Sequence, residues 1–200
     1  PIMLSSLGLF WFIFLFINIK LLTTSKGFIV STSLIIGIKI DLLCDTTTPI
    51  FIHWSKQLPK DKKLKICIPG CGKSDDALYL SSRGHDVYGI DFSENATNYL
   101  NNKAKNNNIK LNVLNADFFN IDERFKNYFD VILEYTFFCA INPFKRTDYV
   151  STCYDLLKNN GRLVGIFLPL IKQNNEEPPF DISLEEINNL FSKKFKINKM

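Results

Sequence analysis

The pattern of apolar and polar positions divides the chain near residue 42. Before that point, residues 7–19 and 27–40 form two apolar runs. Neither run reaches the roughly 18 to 20 apolar residues of a typical membrane-spanning helix. After residue 41, charged residues, Asn and turn formers separate short apolar segments. The pattern therefore predicts a hydrophobic N-terminal segment over residues 1–41 and a folded domain over residues 42–200.

From residue 64 onward, short apolar runs alternate with stretches of helical periodicity. Strands are predicted over residues 64–68, 85–90, 109–114, 129–133, 162–168 and 195–197. Helices are predicted over residues 74–82, 94–105, 146–157 and 183–192. This alternation indicates an α/β fold with a Rossmann-like, doubly wound and mostly parallel sheet.

Local signals support two of these helices and a further one upstream. Ser93 can cap the helix that follows it, with Glu94 in the first turn. Ser183 and Glu186 form a capping-box pattern. Trp54 lies in another predicted helix, where we expect it to pack against the core.

Composition and charge narrow the class of protein. The net charge is +4, and lysines and arginines are scattered rather than concentrated in a stripe, which argues against nucleic-acid binding. The cysteines form no C-x-x-C pair and only two histidines accompany them, so no metal site is predicted. Unpaired thiols indicate a reducing compartment, and we expect a cytoplasmic domain.

A Gly-rich turn follows the first predicted strand, and a nucleoside-triphosphate loop is one interpretation of it. Gly72-Lys73-Ser74 matches the end of the G-x-x-x-x-G-K-[ST] pattern. That pattern requires glycine five residues earlier, where this chain has Cys67, still within the strand. The triphosphate-loop interpretation is therefore rejected.

A dinucleotide-binding fold is the second interpretation. Gly70 and Gly72 supply two glycines of G-x-G-x-x-G, but Asp75 stands at the third position and Asp76 follows it. Two carboxylates at a helix N-terminus would repel a pyrophosphate.

S-adenosylmethionine is the third interpretation and the one that fits. This ligand has no phosphate and carries a sulfonium cation, so neighbouring carboxylates are tolerated. The Gly70-Cys71-Gly72 turn lets the backbone approach the ligand closely. Asp91 follows the second strand, where an acidic residue can hold ribose hydroxyls. After the third strand, Asp117 can accept from an adenine amino group while Phe118 packs on the ring.

The chain resembles the thiopurine S-methyltransferase family, which includes plant and bacterial thiol and halide methyltransferases. The likeness covers residues 48–200. It is carried by six motifs: Thr48-Pro49-Ile50, Ile68-Pro69-Gly70-Cys71-Gly72, Gly84-His85-Asp86-Val87 with Gly89-Ile90-Asp91-Phe92-Ser93, Glu134-Tyr135-Thr136-Phe137-Phe138-Cys139-Ala140, Ala140-Ile141-Asn142-Pro143 with Arg146, and Pro178-Pro179-Phe180.

The resemblance implies a class I S-adenosylmethionine-dependent methyltransferase and assigns roles to individual residues. The implied cofactor-binding set is Gly70, Cys71, Gly72, Asp91, Phe92, Asp117, Phe118 and Glu134. The implied catalytic residues are Glu134 and Tyr135, which flank the transferred methyl group, and Arg146, which approaches the substrate. The implied substrate-binding set is Phe138, Arg146, Pro179 and Phe180.

Two of these assignments have alternatives based on the residues alone. Glu134 can act as a weak base, or it can hydrogen-bond to nearby backbone donors. Arg146 can balance negative charge on the acceptor, or it can be a solvated arginine on the first turn of a helix.

The chain departs from the family at both ends. Relatives carry Trp-rich sequence upstream that closes over the cofactor, and their fold ends with an antiparallel strand. We therefore expect a C-terminally incomplete domain, hence a fragment. The hydrophobic residues 7–40 are interpreted either as a membrane anchor or as sequence not native to the domain.

The function expected from the resemblance is transfer of a methyl group from S-adenosylmethionine to a small soft nucleophile, a thiol. A few per cent of a thiol is already thiolate at pH 7, so little base catalysis is needed. The alternatives are a halide or other small-molecule methyltransferase, a non-catalytic S-adenosylmethionine-binding module, and a membrane protein. We expect a cytoplasmic monomer, membrane-attached if the N-terminal segment is genuine.

Overall fold

The computed structural model describes residues 15–18, 28–30, 47–59, 61–167 and 177–198. Most of the N-terminal segment lies outside these residues, and with it the prediction of a membrane anchor or non-native sequence. Within the described ranges, we find no helix with the length and apolar character needed to cross a bilayer.

Strands and helices alternate along the chain, as the sequence pattern predicts. The strands are β1 (Leu15–Asn18), β2 (Phe28–Val30), β3 (Lys65–Pro69), β4 (Asp86–Asp91), β5 (Asn112–Asn115), β6 (Phe129–Tyr135), β7 (Leu157–Phe167) and β8 (Ile197–Asn198). The helices are α1 (Pro49–Lys56), α2 (Asp75–Ser82), α3 (Glu94–Asn106), α4 (Phe137–Ala140), α5 (Arg146–Leu156) and α6 (Leu184–Phe191).

The centre of the sheet is a run of parallel strands in the order β7-β6-β3-β4-β5. Strand β3 lies between β6 and β4, so the strand order reverses at the carboxyl end of β3. Open α/β sheets bind their ligands at such a point. The backbones of β1, β2 and β8 extend the sheet beyond β7. The predicted Rossmann-like α/β fold is confirmed.

Both faces of the sheet are covered, because neighbouring residues on one strand belong to different apolar clusters. Cys67 and Ile132 pack with the cluster that contains Phe138 and Tyr149. The adjacent residues Ile66, Ile68, Val131 and Leu133 pack in the other cluster. Alternation with a period of two places these clusters on opposite faces of the sheet.

The two predicted serine caps are confirmed, whereas the Glu186 carboxylate of the predicted capping box is bonded to Arg146. Ser93 Oγ accepts from the Ala96 N–H, and Ser183 Oγ accepts from the Glu186 N–H at 3.0 Å. Trp54 is buried in α1, as expected.

Several predicted boundaries are shifted. Strand β5 begins at Asn112, because Ile109 and Leu111 pack against the core and do not pair in the sheet. Strand β6 continues to Tyr135. Strand β7 begins at Leu157, which pairs with Phe129 before an irregularity shifts the register.

Candidate functional site

A cavity of about 480 Å³ opens where the strand order reverses, at the carboxyl ends of the central strands. Its size is that of a small-molecule site. Its lining includes five of the predicted cofactor-binding residues: Gly70, Asp91, Phe92, Asp117 and Phe118. Residues from three separate strand ends therefore meet at one site.

The glycine turn after β3 needs its glycines for two different reasons. Gly70 and Gly72 both have left-handed backbones, with φ of +56° and +51°. A Cβ on Gly70 would lie 2.2 Å from Cδ2 of Phe137, whereas a Cβ on Gly72 would meet nothing within 4 Å. Gly70 is thus required by close packing against Phe137, and Gly72 by backbone conformation alone.

Asp91 joins the glycine turn to the end of β4. Its Oδ2 accepts from the Gly72 N–H at 2.8 Å, and its Oδ1 accepts from the Ser93 N–H at 2.9 Å. Each carboxylate oxygen has two acceptor positions, so one remains on each oxygen for a ligand hydroxyl.

Asp117 and the two aromatic residues after it form another part of the lining. Asp117 is exposed, and its carboxylate accepts from the Phe119 N–H at 2.9 Å. Phe118 is buried and packs edge-on against Phe119 and Phe137. Phe92 lies at the rim with 80% of its surface exposed, which is unusual for a large apolar side chain.

Cys71 lies behind the turn. Its side chain is buried against β4, so close that a Cβ on Gly89 would be 2.9 Å from its Sγ. Burial, together with the Asp91 charge, raises the pKa of the Cys71 thiol to about 12. The side chain therefore supports the turn as a neutral thiol.

Glu134 is buried near the end of β6 and both its oxygens have partners. Oε1 accepts from the Phe138 N–H at 2.8 Å, and Oε2 accepts from the Tyr149 hydroxyl at 2.5 Å. Burial raises the pKa of Glu134 to about 7, although the bonds from Phe138 and Tyr149 lower it. The bond from the Phe138 N–H is the arrangement expected if Glu134 holds nearby backbone donors instead of acting as a weak base.

Tyr135 and Thr136 end the strand and redirect the chain. The Tyr135 ring packs edge-on against Phe51 of α1, with centroids 6.0 Å apart. Thr136 adopts a left-handed φ of +66° immediately before α4. Phe137, the first residue after this turn, lines the cavity.

Arg146 is buried, with only 2% of its surface exposed, and the alternative of a solvated arginine is therefore wrong. Its Nη1 donates to Glu186 Oε1 at 2.7 Å, and its guanidinium carbon lies 5.2 Å from the centroid of Phe138. Within the described part of the chain, its Nε and Nη2 have no hydrogen-bond partner.

Pro179 and Phe180 lie against α4. Pro179 is exposed and Phe180 is half-buried. The Phe180 N–H donates to the Cys139 carbonyl oxygen at 2.7 Å, which fastens this segment to the helix. The residues predicted to bind the substrate, namely Phe138, Arg146, Pro179 and Phe180, are not among the residues that line the cavity, and their role remains a prediction.

Sequence reasoning omitted several residues of the site. Phe119, Ile141, Asn142 and Lys145 also line the cavity. The sequence could have pointed to them, because each lies within one of the motifs that carry the resemblance or next to a predicted site residue. Tyr149 and Glu186, the partners of Glu134 and Arg146, were also missed.

This topology and site define the class: the fold is that of class I S-adenosylmethionine-dependent methyltransferases. A solved structure of magnesium protoporphyrin IX methyltransferase from Synechocystis PCC 6803 with bound SAM matches with a TM-score of 0.57 and 18% identity, covering 72% of this chain and 63% of that one. The family model described as thiopurine S-methyltransferase matches residues 39–200, and the chain belongs to this family. The resemblance drawn from the sequence is confirmed.

Named relatives come from plants and bacteria. A probable thiol methyltransferase 2 of Arabidopsis thaliana is 32% identical, covering 70% of this chain and 61% of the relative. A thiopurine S-methyltransferase of Vibrio parahaemolyticus is 25% identical, covering 70% and 69% respectively. The chain spans about 60% of the length of the plant relatives that it matches.

Proposed function

We propose that this domain binds S-adenosylmethionine in the cavity and transfers its methyl group to a small soft nucleophile, a thiol. The observation that carries the proposal is the Asp91 carboxylate, held by two backbone N–H groups at the edge of a cavity of suitable size. Family membership supports the same reaction.

The residues of the cavity fit this co-substrate. Gly70 lines the cavity and its lack of a side chain makes room for the Phe137 ring beside it, while Asp91 can accept from ribose hydroxyls. Asp117 is exposed at the rim, where it can accept from the adenine amino group. Phe118 and Phe92 offer apolar surface to the ring.

The apolar part of the cavity lining suits a soft methyl acceptor. When bound, S-adenosylmethionine supplies an electrophilic methyl group, whose bond to the sulfonium breaks as the thiolate electron pair forms the new S–C bond. Phe137, Ala140 and Ile141 also line the cavity, and apolar walls would strip water from a thiolate or halide. Holding the acceptor in line can supply much of the rate enhancement.

We assign Glu134 to positioning. Both its oxygens are bonded, one to the Phe138 N–H and the other to the Tyr149 hydroxyl, so the carboxylate fixes α4 and α5 relative to β6. Tyr135 remains the predicted neighbour of the transferred methyl group, and Phe51 holds its ring from behind.

We place the domain in the cytoplasm, because its co-substrate is made inside cells. The free thiols Cys67, Cys71, Cys139 and Cys153 agree with a reducing compartment. A monomer remains a prediction.

Turnover of matched acceptors tests the proposal. The 200-residue chain is incubated with methyl-labelled S-adenosylmethionine and either 3-mercapto-1-propanol, 1,3-propanediol or iodide. We expect methylation of the thiol and none of the diol, and chelators should not abolish it.

The other outcomes distinguish the alternatives. Turnover of iodide without the thiol would support a halide methyltransferase. Binding of S-adenosylhomocysteine without any turnover would support a non-catalytic module. Methylation of protein or RNA in place of small molecules would overturn the proposal.

A further inference from the structure

The Thr48-Pro49-Ile50 motif is bonded to a residue far along the chain. Thr48 precedes α1, at the position where a threonine commonly caps the helix with its own hydroxyl. Here the hydroxyl makes no cap bond. It donates instead to Asp76 Oδ2 at 2.8 Å, and the Thr48 N–H donates to Asp76 Oδ1 at 2.7 Å. We call these two hydrogen bonds the Thr48–Asp76 clasp.

The clasp is buried, which makes it costly unless its bonds are well made. Thr48 and Asp76 are only 5% and 6% exposed. Burial raises the pKa of Asp76 to about 6, although the two bonds from Thr48 lower it, so the group is mostly a carboxylate at pH 7. A buried carboxylate needs its hydrogen bonds, and a buried polar contact that is satisfied fixes one arrangement of the elements that it joins.

The clasp lies next to the cofactor turn. Asp76 is in the first turn of α2, four residues after Gly72. Between them, Ser74 joins the turn to the helix, because its N–H donates to the Cys71 carbonyl oxygen at 3.0 Å and its Oγ accepts from the helix at 3.2 Å. The turn and the start of α2 therefore form one hydrogen-bonded stretch. Asp91 fixes this stretch at Gly72, and the clasp fixes it at Asp76.

Helix α1 connects the other half of the clasp to the same turn. Phe51 and Trp54 of α1 are buried in one apolar cluster. The same cluster contains Ile68 and Cys71, which lead into and through the turn. Without the clasp, α1 and the first turn of α2 could shift relative to each other, and the turn would be less firmly fixed from the α2 side.

We propose that Thr48 and Asp76 are positioning residues of the cofactor site, and that their clasp holds the Gly70-Cys71-Gly72 turn in the shape that binds S-adenosylmethionine. Neither side chain lines the cavity, so both act through the turn. This inference rests on the proposed function, which assigns the cavity to that co-substrate, and deepens it by adding two residues that hold the site.

Removal of one hydroxyl tests the inference. Thr48→Val keeps the shape of the side chain and the backbone bond, but loses the donor to Asp76 Oδ2. Because the turn is then held less firmly, calorimetry should show S-adenosylhomocysteine binding about 5- to 10-fold weaker. Thr48→Ser, which keeps the donor, should bind within about twofold of the wild type.

Variants of Asp76 test the other half of the clasp. Asp76→Ala removes both bonds and should weaken binding about tenfold or more. Asp76→Asn keeps an oxygen acceptor for the Thr48 N–H and gains an amide that can donate to the hydroxyl, so it should lose about threefold or less. In the Asp76→Ala background, Thr48→Val should cost no further affinity, because its partner is already absent.

Ser55→Ala is the matched control, since it also removes one buried hydroxyl between α1 and α2. Ser55 Oγ lies 3.2 Å from the Tyr79 hydroxyl, at the opposite end of α1 from Thr48. This variant should lower thermal stability but leave the affinity for S-adenosylhomocysteine within about twofold of the wild type.

Two results would overturn the inference. An equal loss of affinity in Ser55→Ala and Thr48→Val would mean that general packing of α1 is what matters. Unchanged affinity in Thr48→Val would mean that the clasp does not act on the turn. In either case, binding by the wild type leaves the proposed function standing, whereas no binding by the wild type would overturn both.

Discussion

Two regions of the molecule differ in how completely their polar groups are bonded. One is the cavity lining that we propose for the cofactor, called the cofactor end, and the other is the group around Arg146, outside that lining, which the resemblance predicts for the acceptor and which is called the acceptor end. At the cofactor end, Asp91 accepts two backbone N–H groups and Asp117 accepts one. At the acceptor end, Arg146 is more deeply buried than either carboxylate, yet two of its nitrogens lack partners among the described residues.

This difference follows from which residues the hydrogen bonds of each region connect. Bonds at the cofactor end connect residues on adjacent turns and strand ends, so the site is shaped before any ligand arrives. At the acceptor end, the ion pair joins residues 40 positions apart and leaves donors unused. We infer that the hydrogen bonds of Asp91 and Asp117 preorganise the cofactor end, while hydrogen bonding leaves the acceptor end less fully determined.

The largest effect is expected from Gly70→Ala, compared with Gly72→Ala. Both variants place a Cβ on a left-handed backbone, which costs about 1–2 kcal/mol of stability. Only at Gly70 would the Cβ clash with Phe137, which would be pushed into the cavity. Calorimetry should show S-adenosylhomocysteine binding weakened on the order of 100-fold for Gly70→Ala and by about threefold or less for Gly72→Ala.

Each of these variants controls for the other, because they share the backbone penalty. Equal losses of affinity would mean that the turn conformation alone matters. That result would contradict the claim that close packing of Gly70 against Phe137 shapes the cofactor end.

A smaller effect is expected from Glu134→Gln, measured as thermal stability against pH. Burial raises the pKa of Glu134 to about 7, from 4.5 for the ordinary group, so folding favours the protonated acid. Its contribution to stability is full below pH 4.5 and is lost as the pH rises through about 7. The wild type should therefore lose stability between about pH 4.5 and 7, by roughly 1–3 kcal/mol, and the variant much less.

Asp76 provides the internal comparison. It is buried, it accepts from the N–H and hydroxyl of Thr48, and burial raises its pKa to about 6. Its contribution has the same sign but is lost as the pH rises through about 6, so Asp76→Asn should leave most of the fall between pH 6 and 7 in place. A fall in that range that persists in Glu134→Gln would contradict the assignment.

The cofactor end could be predicted from the sequence because its determinants are local. The Gly70-Cys71-Gly72 turn follows an apolar strand directly, and Asp91 precedes the cap Ser93 by two residues. Strand alternation then places these groups at one edge of a parallel sheet. The structure brings them together there.

The acceptor end could be predicted only by resemblance. No spacing rule pairs Arg146 with Glu186, or Glu134 with Tyr149, because those contacts depend on how α5 and α6 pack on the sheet. The left-handed backbone of Thr136 also carries no sequence signal, since threonine rarely adopts it. The burial of Arg146 follows from the same packing.

Calorimetric titration with S-adenosylhomocysteine tests the central claim most directly, using the wild-type chain, Asp91→Ala and the control Asp75→Ala. Asp75 is a neighbouring carboxylate that pairs with Lys103 and does not line the cavity. The account predicts binding to the wild type, an affinity about 10- to 100-fold weaker for Asp91→Ala, and an affinity within about twofold for Asp75→Ala. Unchanged affinity in Asp91→Ala, or no binding to the wild type, would contradict it.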